Sequence, residues 1–220
     1  MSSIAQTPGE YRRWFNPLSM LIVAILAILL YGRALNFAFF NDDPTGHFAW
    51  MESRTFLDFF TSSAEYGYYR PIVFATLKGL VTLGGTYAPL FHAVLLLLNG
   101  ANVAMLWLLA YRISDSRLYA WAVALIFASF PFSYEAIAYV ASLTHPLLLF
   151  WLLLTLLLYQ QARRLEVDGF QSRSRNYHVA AFITFLLGLL THENSLIIPL
   201  ALVGIDWLER PPRRLLEGVK

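Results

Sequence analysis

The residues best suited to chemistry in this chain are few and widely spaced. Asp42 and Asp43 stand side by side in Phe40-Asn41-Asp42-Asp43-Pro44-Thr45-Gly46-His47, a polar stretch that directly follows a long apolar one. Arg70 sits between Tyr69 and Pro71, and Glu135, His145 and the adjacent His192-Glu193 complete the set. A carboxylate can take a proton from a hydroxyl, and an arginine fork can hold an anionic leaving group through two parallel N–H bonds. Together these types fit a group transfer in which Asp42 or Asp43 is the base and Arg70 holds a phosphate. Lys78, His145 and His192 are weaker candidates for the same anion. His192-Glu193 is half of a zinc motif, but no H-E-x-x-H occurs; a divalent metal has no motif behind it, and no cofactor is expected.

Each of these residues also has a plainer reading. Asp42-Asp43-Pro44 can be a helix stop and an N-cap. Arg70 before Pro71 can snorkel at an interface. Glu135, just beyond Pro131, can cap a helix, and His145-Pro146 can mark a kink whose freed carbonyl is satisfied by a threonine or water. His92, Asn99 and Asn102 read as hydrogen-bond partners between helices rather than as ligands.

The elements that must position these residues are apolar helices. The chain has 220 residues, of which 58% are hydrophobic and only 14% charged, against ~45–50% and ~25% in ordinary soluble domains. Charges are costly near hydrocarbon, so an acidic pair at the end of an apolar run suggests work on a substrate. There is no cysteine, which excludes disulfides, thiolate metal sites and a cysteine nucleophile. Six spans are expected, over residues 17–35, 89–111, 118–130, 134–159, 178–190 and 195–208. The first is read as retained, because it lacks a small-residue cleavage site. Between the first two spans, 47–53 and 55–60 mix aromatics with charges, and 71–83 is apolar but short. These are expected to lie in the membrane interface rather than to cross it. Residues 160–177 are read as a polar loop.

Charge then sets the orientation. With 1–16 and the Arg-rich 209–220 on the cytoplasmic side, twelve of the 16 lysines and arginines fall inside. If 71–83 also spanned, the arginines at 163–175 would move outside. The expected layout is therefore a membrane helical domain over 17–208, with an outer loop at 36–87 and both termini cytoplasmic. That layout puts Asp42, Asp43, Glu135 and Glu193 on the outer face. An all-α, multi-pass bundle in a bacterial inner membrane is the expected architecture.

Several features, in order, resemble the N-terminal half of glycosyltransferase-C superfamily enzymes. They are Asn41-Asp42-Asp43 with His47 and Trp50-Met51, Tyr69-Arg70-Pro71 heading a short helix, and Phe91-His92 with Leu97-Leu98-Asn99-Gly100-Ala101-Asn102. Phe130-Pro131 with Glu135-Ala136-Ile137-Ala138-Tyr139-Val140 follows, then Thr191-His192-Glu193-Asn194-Ser195 with Pro199. The chain is most similar to protein O-mannosyltransferases and to the aminoarabinose transferases of lipid A. The resemblance implies a membrane glycosyltransferase that takes a sugar from a polyprenyl-phosphate donor and passes it to a hydroxyl of a protein or lipid acceptor on the outer face. Carried over by position, Asp42 is the base, Asp43 aids it, and Arg70 holds the donor phosphate. His47, Tyr69, Glu135, His145, His192 and Glu193 are the expected substrate-binding residues. The resemblance also suggests inversion by direct displacement.

Relatives have roughly twice as many spans, so an N-terminal portion of a longer protein is expected, or a shortened member that needs a partner subunit. The alternative reading is a non-catalytic membrane partner or a transporter half. A transporter would favour mid-membrane charges and a repeat between halves, and neither is evident here. No nucleic-acid partner is expected.

Overall fold

The computed structural model describes residues 16–40, 48–61, 68–130 and 133–209. Among these residues every regular element is helical. The α-helices are α1 (Pro17–Leu30), α2 (Phe48–Glu52), α3 (Asp58–Thr61), α4 (Pro71–Gly84), α5 (Ala88–Ser114), α6 (Arg117–Ser129), α7 (Ser133–Ala138), α8 (Thr144–Val167), α9 (Gln171–Leu189) and α10 (Ile198–Glu209). Short 3-10 helices occupy Gly32–Asn36, Val140–Leu143 and Glu193–Ile197.

Local chemistry explains most boundaries. Asn16 accepts the Ser19 N–H at 3.2 Å and Pro17 opens α1, where its missing N–H costs nothing. The α5–α6 turn is closed by Asp115 in the left-handed region (φ 51°), whose N–H reaches Tyr111 O at 2.9 Å, and by Ser116, which caps Tyr119 N–H.

Helix α5 runs through the centre of the bundle. Its 27 residues measure ~40 Å at 1.5 Å per residue. Small residues let its neighbours come close: Ala120, Ala124 and Ala128, four apart on α6, are buried, as are Val23 and Ala27 of α1. At Gly100 an added Cβ would lie 3.0 Å from Ile28 and 3.2 Å from the Ala24 carbonyl. These elements pack with Leu153 and Leu156 of α8 and Ile205 of α10 around Trp107, which is fully buried. A second cluster sits toward the start of α5. Phe91 and Leu95 there gather Phe48, Met51, Phe59, Val73, Phe74 and Leu77, together with Val140, Leu143 and Leu147. That cluster ties α2, α3 and α4 to the head of α8.

Two helical stretches, Ala88–Ser114 and Val140–Val167, are long and apolar enough to cross a membrane. The outer faces of α1 (Leu21, Ile25, Leu29), α9 (Phe182, Ile183, Leu186) and α10 (Leu200, Val203, Trp207) expose large apolar side chains. α1, α4 and α6 are apolar but shorter, at 14, 14 and 13 residues.

The helix boundaries differ from the sequence expectation in three places. The stretch 134–159 is not one helix. α7 ends at Ala138, a 3-10 turn follows, and α8 starts at Thr144. Pro146 accounts for this: it is tolerated in the first turn of α8, whereas in a helix interior its ring would strike the carbonyl four residues back. Nor is 160–177 a loop. Gln160, Ala162, Arg163, Arg164, Leu165 and Glu166 are good helix formers and extend α8 to Val167; Gly169, at φ 83°, then turns the chain into α9. Finally, α1 stops at Leu30 and continues as a 3-10 turn instead of running to Leu35; the Tyr31 hydroxyl there donates to the Ala128 carbonyl at 2.8 Å.

Candidate functional site

Arg70 is the N-cap residue of α4. Its backbone lies outside the helical region (φ −134°, ψ 61°), as expected before a proline. The first turn of α4 is joined to the end of α9, where Ile72 N–H donates to Leu190 O at 3.2 Å. Beyond that joint the chain turns sharply. The Thr191 and His192 N–H groups both return to Gly188 O, and the Thr191 hydroxyl donates to Leu187 O at 2.7 Å. His192 is then fully extended (φ −163°, ψ 142°) and caps the next turn, with Nδ1 accepting the Asn194 N–H at 3.0 Å. The buried Ser195 hydroxyl ties the His192 carbonyl at 2.7 Å.

This turn delivers His192 and Glu193 to Arg70. Arg70 Nη2 donates to Glu193 Oε1 at 2.9 Å and Nε to Oε2 at 3.4 Å, a fork across one edge of the guanidinium. Nη2 also lies 3.0 Å from His192 Nε2. The Tyr68 ring stacks on the guanidinium with a centroid distance of 4.6 Å. Among the described residues, Arg70 Nη1 has no protein acceptor. The hydrogen bond from Arg70, assisted by its charge, holds the Glu193 carboxyl below the usual carboxylate range. Burial lowers the His192 pKa, and the adjacent Arg70 adds to the effect, so the imidazole is neutral at pH 7.

His145, in the first turn of α8, lies with its ring centroid 5.8 Å from that of His192. It also lines a cavity of ≈ 260 Å³ together with Glu135, Ala136 and Ser142. The first turn of α8 is held from behind by the buried Asn102, whose Nδ2 donates to Pro146 O at 2.9 Å. Arg70, His145, His192 and Glu193 thus form one connected group, and Glu135 joins it through the shared cavity. Among the described residues no three His, Asp or Glu side chains are placed to hold a metal ion.

Other expected site residues are placed elsewhere. Tyr69 is turned away: its hydroxyl donates to Phe60 O at 2.9 Å and fastens α3 to the approach to α4. Lys78 Nζ donates to Met51 O at 2.8 Å and Glu52 O at 3.4 Å, so it serves as a cap for the last carbonyls of α2 rather than as an anion ligand. Asp42, Asp43 and His47 lie outside the described residues. Their described neighbours are anchored, however. Phe40 packs on Tyr139, just after α7, at 5.1 Å, and Phe48 stacks on Phe91 at 5.6 Å. His92 is fully buried, with Nδ1 3.4 Å from Ile137 O, in keeping with a structural role between helices.

Tyr68 and Ser142 are parts of the site that sequence reasoning did not single out. For Tyr68 a signal existed, since residues two apart in an extended segment lie on the same side, which puts an aromatic beside Arg70. Ser142 carried none, because only the break between α7 and α8 exposes it. Compared with protein-family models, curated proteins and solved structures, the chain matches none of them.

Proposed function

We propose that this chain is a multi-pass membrane glycosyltransferase, or the part of one that binds the donor, acting on a polyprenyl-phosphate-linked sugar. In this reading the chain crosses the membrane six times with both termini in the cytoplasm, and the cleft opens on the outer face. Asp42 takes the proton from the acceptor hydroxyl as the new bond from that oxygen to the sugar C1 forms, and Asp43 aids it. The bond from C1 to the phosphate oxygen breaks, and the electron pair leaves with the polyprenyl phosphate, whose added negative charge Arg70 receives. Glu135 and His145 line the space for the sugar or the acceptor.

The observation that carries this reading is the state of Arg70. Its guanidinium is paired with Glu193 and stacked on Tyr68, Nη2 lies 3.0 Å from the His192 imidazole, and among the described residues Nη1 has no protein acceptor. An arginine fixed by its own carboxylate presents its remaining N–H groups without further ordering, which favours binding of a planar or tetrahedral oxyanion. The apolar outer faces of α1, α9 and α10 support a lipid surrounding, because soluble monomers rarely leave such area exposed.

The test is transfer from a radiolabelled polyprenyl-phosphate sugar in membranes containing wild-type chain, Asp42→Asn or Arg70→Ala. Both variants are expected to insert normally and to lose transfer. Full turnover by Asp42→Asn would remove the base assignment. Copurification of polyprenyl-phosphate lipid without any turnover would instead identify a donor-binding partner subunit.

A further inference from the structure

The two ring nitrogens of His192 both face donors. Nδ1 is 3.0 Å from the Asn194 backbone N, whose N–H points at it, and Nε2 is 3.0 Å from Arg70 Nη2. A neutral imidazole has one nitrogen that accepts and one that donates, and a guanidinium only donates. One of the two contacts is therefore a donor facing a donor. The Asn194 N–H is aimed at Nδ1 by the backbone of the 3-10 turn, whereas Arg70 Nη2 already has an acceptor in Glu193 Oε1, so the proton belongs on Nε2. That leaves the Nε2–H of His192 and Nη2 of Arg70 facing each other with no acceptor between them among the described residues. Glu193 does not supply it, because its carboxylate spans the Nε and Nη2 edge of Arg70 and lies 3.5 Å from the opposite nitrogen, Nδ1.

From this mismatch we propose that His192 is a tautomer-locked donor that grips a bound oxyanion jointly with Arg70. The proposal rests on the reading that Arg70 holds an oxyanion, and it adds a specificity. The clamp takes an oxygen that only accepts, such as an ionised phosphate oxygen, and disfavours a group that presents a proton of its own. Binding needs no protonation of His192, since the neutral ring already carries the required N–H. The shared ligand chemistry is a phosphate monoester or free phosphate.

The experiment uses the full chain in phosphatidylcholine nanodiscs, labelled with 15N-histidine, and titrates geranyl phosphate in one arm and inorganic phosphate in the other. His192 is expected as the neutral Nε2–H form, with that proton moving downfield on addition of geranyl phosphate. Two variants separate the two nitrogens, since asparagine replaces Nδ1 with an acceptor but lacks an Nε2 donor, whereas glutamine restores a donor at Nε2. His192→Asn should weaken geranyl phosphate binding about 10-fold or more, and His192→Gln should retain it to within about threefold. An Nδ1–H tautomer, or binding that depends on Arg70 yet is unchanged in His192→Asn, would overturn the clamp and leave the role of Arg70 intact. Equal affinity for inorganic phosphate would keep the clamp and overturn the lipid-linked donor. Failure of wild type to bind either probe would overturn both readings.

Discussion

Arg70→Lys separates charge from geometry in the cluster that Arg70 forms with His192 and Glu193. In the structure the Nε and Nη2 edge of Arg70 is occupied by Glu193, while Nη1 points away from that edge and, among the described residues, has no acceptor. A lysine ammonium carries the same charge at a single nitrogen. With Glu193 beside it, that nitrogen would sit on the carboxylate and leave no second edge for a ligand. A hydrogen bond to a charged group is worth ~1.5–3 kcal/mol, so losing the one that faces the ligand should weaken oxyanion binding by about 10- to 100-fold. Stability should change far less. The pair is 20% and 62% exposed on its two sides, and solvent-exposed ion pairs contribute ~0–1 kcal/mol. The assay is calorimetric titration of geranyl phosphate into the protein in nanodiscs, together with thermal unfolding in detergent. Arg70→Lys should behave almost as badly as Arg70→Ala in binding, with both unfolding near wild type. Affinity of Arg70→Lys within threefold of wild type would show that a point charge suffices, and the fork argument would fail.

Further expectations concern the frame and the membrane. Asn102→Leu removes the bond to Pro146 O from a fully buried position and should cost ~1–2 kcal/mol in reversible unfolding; a variant as stable as wild type would show that this bond does not hold the head of α8. The depressed carboxyl of Glu193 stabilises the fold above the unfolded-state value near 4.5, and this contribution is lost as pH falls through the lower folded value. Glu193→Gln should therefore flatten that acid limb of the unfolding profile, and an unchanged limb would remove Glu193 as its source. Because the natural chain has no cysteine, single cysteines can report sidedness cleanly. Leu83→Cys, exposed near the end of α4, should react with an impermeant maleimide from outside, and Val167→Cys, exposed at the end of α8, only from inside; the reverse pattern would invert the proposed topology.

Much of the frame was legible because apolar runs and proline positions carry strong local meaning. The helices beginning near Pro17, Pro71 and Pro89 sit where the sequence put them, since proline is favoured in a first turn. The break between α7 and α8 was missed for the opposite reason. Tyr134 to Tyr159 is so apolar that hydropathy gives no hint of a boundary, and only the steric demand of Pro146 marks it. The extension of α8 was hidden by its arginines, which read as a loop until Arg163 is seen paired with Glu166 and Asp206. At the site, Arg70, Glu135, His145, His192 and Glu193 were identifiable by type, but their pairing was not. Nothing local to Arg70 announces a partner 123 residues later. Lys78 misled for a related reason, because a cation in a short apolar helix looks like a ligand until the open carbonyls of α2 are placed beneath it.

That separation of 123 residues has a consequence for how the protein is made. At ribosomal speeds of about 5–20 residues per second, Arg70 leaves the exit tunnel roughly 6–25 s before Glu193. The Ile72 to Leu190 joint is delayed in the same way, so neither connection exists while α4 through α8 are being synthesised. During that interval the guanidinium lacks its carboxylate partner. The cluster is thus completed late in biogenesis, when the turn after α9 arrives and closes against α4, made long before it.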